Sequence, residues 1–163
     1  MRFEEFATLR LPALLRFATV LSGDPALADD VVQEVLIRAH LRWRRIDALD
    51  RPESYLRKMI VNEFVSSRRR VRRWVPTATV EPVGQEPDPA DRHADRDELT
   101  AELARLPRRQ RAVLVLRYYE GFSDVEIADA LGCRPGTVRG YASRALAALR
   151  VQLADPALAQ EKP

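Results

Sequence analysis

The sequence predicts an all-α protein made of two small helical domains joined by a flexible, acidic, proline-rich linker. Apolar residues recur at three- and four-residue steps in both halves of the chain, and the alternation typical of strands is absent. Between the halves, the stretch PTATVEPVGQEPDPADRHADRDE has four prolines and few large apolar residues. It cannot bury enough surface to offset its ordering entropy. We therefore divide the chain into a first block (1–75), a linker (76–96), a second block (97–151) and a frayed tail (152–163).

The first block contains amphipathic helices. The helical pattern at the start of the chain includes Pro12, which we expect to separate a short helix from a longer one. A second helix begins at Pro25, with Asp24 as its N-cap. A third begins near Pro52, followed by apolar residues at helical spacing. These helices can share one core.

The residue pattern of the second block predicts a helix-turn-helix. A helix begins at Pro107 and ends at Gly121. Ser123 then lies three residues before Glu126, a capping box in which each side chain satisfies a backbone donor of the next helix. Gly132 permits the positive φ of the turn that follows.

The helix after this turn, from about Pro135 to Arg150, is the predicted recognition helix. Arg134 occupies the N-cap position that Ser, Thr, Asp or Asn normally fill. Gly136 lacks a Cβ, which lets backbone N–H groups approach a DNA phosphate. An ordinary helical hairpin with a solvated basic face is the alternative. The residues expected to contact DNA are Arg134, Pro135, Gly136, Thr137, Arg139, Gly140, Ser143 and Arg144.

Composition excludes several classes of protein. No apolar run approaches the roughly 18 residues of a membrane span, and the first residues resemble no secretory or transit signal, so we expect a cytoplasmic protein without membrane insertion. Cys133 is the only cysteine, and His40 and His93 lie in different blocks. No metal site, cofactor or catalytic arrangement is therefore expected, and the protein is predicted not to be an enzyme.

Charge is distributed unevenly along the chain. Residues 1–75 contain 15 basic and 10 acidic side chains, residues 76–98 contain 2 and 7, and residues 99–163 contain 10 and 7. Two basic blocks thus flank an acidic strip.

Three stretches together resemble a known family: DPALADDVVQEVLIRAHLRW, then RPESYLRKMIVNEFVSSRRR, then LPRRQRAVLVLRYYEGFSDVEIADALGCRPGTVRGYASRALAALR. They are similar to the bacterial extracytoplasmic-function (group 4) sigma factors of RNA polymerase, of the actinobacterial sigma-E-like type. The resemblance implies that the first block is sigma region 2, which binds the β′ clamp helices of core RNA polymerase and opens the minus-ten promoter element. The second block is then region 4, which binds the minus-thirty-five element and contacts the β flap.

The resemblance also implies roles for residues of the first block. DVVQE matches the polymerase-binding helix, although its polar residues could equally be the solvated face of an amphipathic helix. Tyr55 is an aromatic candidate for stacking on an unpaired base, or a core residue. The polymerase-binding candidates are Asp30, Gln33, Glu34 and Arg38. The minus-ten candidates are Tyr55, Arg57, Lys58, Asn62, Arg68 and Arg69.

Sequence reasoning thus predicts a sigma factor that binds core RNA polymerase and promoter DNA and directs promoter-specific transcription initiation. An anti-sigma factor is a common partner in this family. One alternative is a stand-alone helix-turn-helix regulator with an N-terminal sensor or dimerisation domain. The other is a DNA-processing enzyme such as a recombinase, which would require a nucleophilic Ser or Tyr supported by clustered arginines or a carboxylate metal site. Tyr118 and Tyr119 are adjacent, but the helix that carries them is expected to be structural.

Overall fold

A computed structural model of the chain describes the backbone of residues 1–66 and 90–158 and the side chains of residues 1–66 and 98–150. All regular elements in these residues are helical. The first block contains α1 (Phe3–Ser22), α2 (Pro25–Leu41), α3 (Trp43–Ile46) and α4 (Pro52–Ser66). The second contains α5 (Ala90–Arg105), α6 (Arg108–Leu114), a π-helical segment (Val115–Tyr119), α7 (Asp124–Leu131) and α8 (Pro135–Leu158). Residues 76–89 of the linker assignment lie outside the described residues, and α5 begins within that assignment.

Local capping signals place the helix boundaries as the sequence predicts. The Asp24 carboxylate accepts a hydrogen bond from the backbone N–H of Ala26 at 2.9 Å, which caps α2. The capping box at α7 is present in both directions, between Ser123 and Glu126. Gly132 ends α7 with a φ of 64°, a left-handed conformation that favours glycine. The helix-turn-helix is therefore built from short-range interactions.

The prediction that Pro12 divides the first helix is wrong. α1 continues through Pro12 as a single helix of 20 residues. An interior proline removes one helical hydrogen bond and crowds the preceding turn. Here Phe6 on one side of Pro12 and Leu14 and Phe17 on the other are buried in the same core, and this shared burial holds both halves of the helix in line.

Two further elements differ from the sequence-based expectation. The helix after Pro107 is not regular to its end, because its last turn is the π-helical segment, closed by a bond from Glu120 N–H to Val115 O at 3.1 Å. The recognition helix is longer than expected, since α8 reaches Leu158 and includes the first part of the assigned tail.

The two blocks pack against one another. α1, α2 and α4 contact each other in the first block, and α8 packs on α6 and α7 in the second. α4 also contacts both α6 and α7, so the hydrophobic core is continuous between blocks. Gly23, at the end of α1, lies where an added Cβ would sit 3.4 Å from the Cβ of Ala104 in α5. The sequence predicted helices for each block but contained no signal that their cores would join.

Arg111 is the buried charge at this junction, with 7% of its surface exposed. Its guanidinium donates to the carbonyls of Leu21 and Ser22 at the end of α1, at 3.3 and 3.0 Å. It also donates to Ala104 and Leu106 at the end of α5, at 2.7 and 3.1 Å. Burial and then the nearby positive charge of Arg108 lower the pKa of Arg111. One side chain therefore satisfies the C-terminal carbonyls of helices from both blocks.

Replacing Arg111 by Met should lower the free energy of unfolding by about 3 kcal/mol, because buried carbonyls lose their donor. Urea denaturation followed by circular dichroism measures this change. Arg16→Met, which removes an exposed arginine of α1, is the matched control and should change stability by less than about 0.5 kcal/mol. Equal stabilities of the two variants would contradict the role assigned to Arg111.

Candidate nucleic-acid interface

The recognition helix presents a basic face to solvent. Val138, Ala142, Ala145 and Leu149 are buried and attach α8 to the rest of the block. The side of the helix away from them is exposed and includes Arg139, whose side chain is 65% exposed. The exposed residues between positions 134 and 150 are Arg134, Gly136, Thr137, Arg139, Ser143, Arg144, Ala147 and Arg150. Of the DNA-contact candidates predicted here, Pro135 and Gly140 are half-buried.

The glycines of α8 leave its backbone accessible. A Cβ added at Gly136 would meet only a terminal nitrogen of Arg139, at 3.7 Å. One added at Gly140 would meet only the guanidinium of Arg144, at 3.7 and 3.8 Å. Because no fixed group of the protein lies over these positions, a nucleic-acid backbone can approach the helix closely there. The Arg144 guanidinium also lies over the Tyr141 ring, 5.3 Å from its centroid.

The capping box at α7 fixes the orientation of the helix-turn-helix and holds a charge. Glu126 accepts from the backbone N–H of Ser123 at 2.8 Å, and Ser123 Oγ accepts from Glu126 N–H at 3.3 Å. The backbone bond and then the Ser123 side chain lower the pKa of Glu126 below its ordinary value. The negative charge also lies favourably at a helix N-terminus.

α4 displays three of the minus-ten candidates on one face. Tyr55, Lys58 and Asn62 recur at three- and four-residue steps along the helix. Tyr55 is 40% exposed, so its ring is available for stacking and does not belong to the core. Asn62 is also exposed. Arg68 and Arg69 lie outside the described residues.

Arg57 points away from this face, toward the second block. Its guanidinium forms ion pairs with Glu53 on the same helix and with Glu120 after the π-helical segment. It also lies 5.5 Å from the centroid of the Phe17 ring. Burial opposes the charge of Arg57, but hydrogen bonds and charge from Glu53 and Glu120 outweigh it and raise the pKa above its ordinary value.

Lys58 also contacts the second block, because its Nζ lies 2.7 Å from the Asp129 carboxylate of α7. Neither interaction was predicted from the sequence.

The side of α2 opposite its buried residues carries both polar and apolar side chains. Val31, Val35 and Ala39 are buried, whereas Asp30 and Gln33 on the other side are exposed. Sequence reasoning missed two exposed apolar residues on this same side, Ile37 (61% exposed) and Leu41 (78% exposed). Both lie off the buried stripe at helical spacing, which is the signal that could have identified them. We call Asp30, Gln33, Glu34, Ile37 and Leu41 the α2 face.

The Arg38 side chain extends from the α2 face toward α4. It forms ion pairs with Glu34 at 3.3 Å and with Glu63 of α4. Glu63 is 8% exposed and the Arg38 side chain is 44% exposed, so the pair lies at the solvent edge of the contact between α2 and α4. Arg38 therefore connects one polymerase-binding candidate, Glu34, to Glu63 in the packing of the first block.

Within the part of the chain that the structure describes, no cluster of three or more His, Cys, Asp or Glu side chains could hold a metal ion. The same residues include no helix that is both long and apolar enough to cross a membrane. Tyr119 stacks on Phe17 with ring centroids 6.4 Å apart, so it contributes to the junction between the blocks.

Comparison with known proteins agrees with the two-block organisation. The family description "Sigma-70 region 2" matches residues 7–74, and "Sigma-70, region 4" matches residues 96–149. The RNA polymerase sigma-E factor of Streptomyces coelicolor is 40% identical over 154 residues, which cover 94% of this chain and 86% of the relative. The extracytoplasmic-function sigma factor SigL of Mycobacterium tuberculosis is 36% identical over 147 residues, which cover 87% of this chain and 83% of the relative. The chain belongs to the extracytoplasmic-function sigma factor family.

A solved structure is similar to this sigma factor over almost its whole length. It is the sigma factor RpoE of Bartonella quintana in complex with the anti-sigma factor NepR, with 28% identity and a TM-score of 0.66. The match covers 93% of this chain and 96% of the other. The all-α fold and the sigma family predicted from the sequence are thereby confirmed. The protein is a sigma factor that binds core RNA polymerase and promoter DNA and directs transcription initiation.

The capping box gives a prediction about pH. Because the folded-state pKa of Glu126 is lowered, its stabilisation is present above the unfolded-state pKa and is lost as the pH falls through the folded value. Glu126→Gln should therefore melt at a lower temperature than the wild type at neutral pH. The difference should shrink on acidification from about pH 6 to about pH 3. Thermal melts across this range measure it, and a constant difference would contradict the assignment.

Proposed function

We propose that this sigma factor recognises promoters through two separate surfaces, with residues 1–75 acting at the minus-ten element and residues 97–151 at the minus-thirty-five element. The observation that supports this most is the exposed basic face of α8, held by the capped helix-turn-helix. The two matched family ranges fall on the same division. The chain acts by binding and has no reaction of its own, in the cytoplasm where RNA polymerase meets the nucleoid.

For the polymerase contact, we propose that the α2 face binds the clamp helices of the β′ subunit. Exposed apolar side chains beside carboxylates suit a partner with apolar and basic groups, because each part of the face then has a complement. Ile37 and Leu41 supply apolar area, and Asp30, Gln33 and Glu34 supply polar contacts. Arg38 is a positioning residue that holds Glu34 in place through its ion pair. The second block would contact the β flap.

At the minus-ten element, Tyr55, Lys58 and Asn62 form the proposed contact face for the unpaired strand. The aromatic ring can stack on a base that has left the duplex, and the ammonium group can pair with phosphate. The amide can hydrogen-bond to a base edge. Arg57, Arg68 and Arg69 remain proposed contacts that supply further positive charge.

At the minus-thirty-five element, the N-terminal half of α8 enters the major groove in this proposal. Arg139 lies near the helix start and is well exposed, so it is assigned to a base edge. Arg144 and Arg150 lie further along the same face and are assigned to phosphate. Gly136 and Gly140 allow the backbone approach described above, and Arg134, Pro135, Thr137 and Ser143 complete the contact surface.

The tethering of two modest binding sites also has an energetic consequence. Once one block is bound, the other searches for its element at a high local concentration, so neither interface has to be strong.

The solved relative is a complex with an anti-sigma factor, and we propose that an anti-sigma factor also binds this protein.

The polymerase contact can be tested with α2 variants. Gln33→Ala combined with Glu34→Ala, and Ile37→Ala separately, should each weaken binding to core RNA polymerase by about tenfold or more, and run-off transcription should fall in parallel. Leu9→Ala is the matched control for Ile37→Ala, because Leu9 is 60% exposed but lies on α1. Unchanged affinity for all α2 variants would exclude this face as the binding surface.

The DNA contact can be tested on α8 with purified holoenzyme and genomic promoter fragments. Arg139→Ala should relax the preference at one base pair of the upstream element, at a cost of about 1–3 kcal/mol. Arg150→Ala should instead weaken binding to all sequences and reduce the salt dependence by about one counterion. If wild-type protein gives no promoter-specific transcript with core polymerase, the proposed function is wrong.

A further inference from the structure

Asp124 lies between two arginines at the point where α7 meets the recognition helix. It is the first residue of α7, outside the contact surfaces proposed above. One of its carboxylate oxygens, Oδ1, accepts a hydrogen bond from Arg117 of the π-helical segment. The other, Oδ2, lies 3.8 Å from Nη1 of Arg139 on α8. Asp124 thus connects the arginine assigned to a base edge with a half-buried part of the second block.

The Asp124 carboxylate is held in place from behind. The Arg117 and Asp124 side chains are only 25% and 28% exposed. The hydrogen bond with Asp124 is the largest cause that raises the pKa of Arg117 above its ordinary value, so the pair stays charged. Ser123, immediately before Asp124, forms the capping box that fixes the backbone at the start of α7. A carboxylate is also favourable at a helix N-terminus.

Two contacts locate the guanidinium of Arg139. Its Nη1 faces Asp124, and its Nη2 lies 3.7 Å from where a Cβ of Gly136 would be, about one turn earlier on α8. The group therefore lies at the N-terminal end of the recognition helix, the end that reaches base edges in a helix-turn-helix. A separation of 3.8 Å is too long for a direct hydrogen bond, so the donors of Arg139 stay available.

A fixed carboxylate changes what the neighbouring arginine binds well. A phosphate bound by Arg139 would bring a second negative charge close to Asp124, and like charges repel. Guanine instead offers two acceptors on an uncharged base, O6 and N7, which match the fork of donors on arginine. The Arg144 guanidinium lies over the uncharged ring of Tyr141 and has no such repulsion to overcome at a phosphate.

We propose that Asp124 is a positioning residue that directs Arg139 to a guanine of the minus-thirty-five element and disfavours its use on phosphate. Arg117 holds the carboxylate from the other side. The inference rests on the proposed function, because that assigns Arg139 to a base edge. A side chain that is oriented before binding loses less freedom when it binds, so the arrangement favours the correct base without adding a contact to DNA.

The first test measures base preference with purified holoenzyme and a transcribed promoter fragment in which each base pair of the upstream element is varied. Asp124→Asn keeps the shape of the side chain and removes its charge. The preference for guanine at the position read by Arg139 should fall about fivefold or more. Affinity for a fragment without the element, at the same salt concentration, should equal or exceed that of wild type, because an anion near DNA is removed.

Asp129→Asn is the matched control for Asp124→Asn. It removes the same charge from the same helix, at a side chain that is 73% exposed and pairs with Lys58. This control should leave the guanine preference unchanged. An equal loss of preference in both variants would overturn the proposal. So would a loss of affinity for all fragments alike in Asp124→Asn, since that is the effect of a purely structural residue.

A double variant tests whether Asp124 acts through Arg139. In an Arg139→Ala background, Asp124→Asn should cause no further loss of guanine preference, because the group that it positions is absent. The same fold loss in both backgrounds would show that the two residues act independently, and the positioning role would be wrong. Circular dichroism verifies that the variants are folded.

The second test needs no DNA. Nitrogen-15 relaxation of the full chain in solution measures the order of each arginine Nε–H group. Asp124→Asn should lower the order parameter of Arg139 by about a third or more, while that of Arg144 stays as in wild type. An unchanged order parameter at Arg139 would overturn the proposal.

The outcomes separate this inference from the proposed function. If Arg139→Ala leaves every base preference intact, the assignment of Arg139 to a base edge is wrong, and the inference fails with it. If Arg139→Ala removes a preference that Asp124→Asn leaves intact, the proposed function stands and only the positioning role is wrong. The relaxation measurement reports the contact between the two side chains in either case.

Discussion

The buried guanidinium of Arg111 is the interaction on which the packing of the two blocks depends. It satisfies carbonyls at the ends of α1 and α5 that helix geometry leaves without partners. An arginine suits this position because its planar fork of donors can serve several acceptors at once and it stays charged when buried. The burial of Phe64 beneath Arg108 and Arg111 then aligns α4 with the second block. The sheltered pair of Arg57 and Glu120 lies in the same interface.

This arrangement distributes the functional surfaces unequally. The α2 face points to solvent, and so does the basic side of α8, where Arg139 also lies 3.8 Å from the Asp124 carboxylate. The basic groups of α4, Arg57 and Lys58, are turned toward acids of the second block. Three acidic residues of the second block illustrate two distinct settings. Glu126 stabilises a helix locally through its cap, and Glu120 and Asp129 pair across the junction. Charge of one sign in one small block thus serves both helix capping and the packing of the two blocks.

Sequence reasoning succeeded where structure is decided by neighbours along the chain. The Asp24 cap, the Ser123 and Glu126 box and the turn at Gly132 each involve residues within a few positions, and each was predictable from spacing. Pro12 was misjudged because burial of Phe6 and Phe17 in a shared core outweighs the local cost of a proline. The contacts that Arg111, Arg57 and Lys58 make between the blocks could not be predicted from spacing. The partners of Arg111 in α1 lie 89 and 90 positions away, and those of the two α4 residues lie in the other block.

The π-helical segment has a consequence for how proteins of this kind should be compared. A π turn accommodates one more residue than an α turn, so every position after it is rotated about the helix axis. Here that rotation determines the direction of the Tyr119 and Glu120 side chains, which contact Phe17 and Arg57 of the first block. A relative that lacks one residue at this point can have identical amino acids after it. Their side chains would then point in a different direction. Whether two relatives share this intramolecular contact is thus a matter of backbone register, and identity at aligned positions alone does not reveal it.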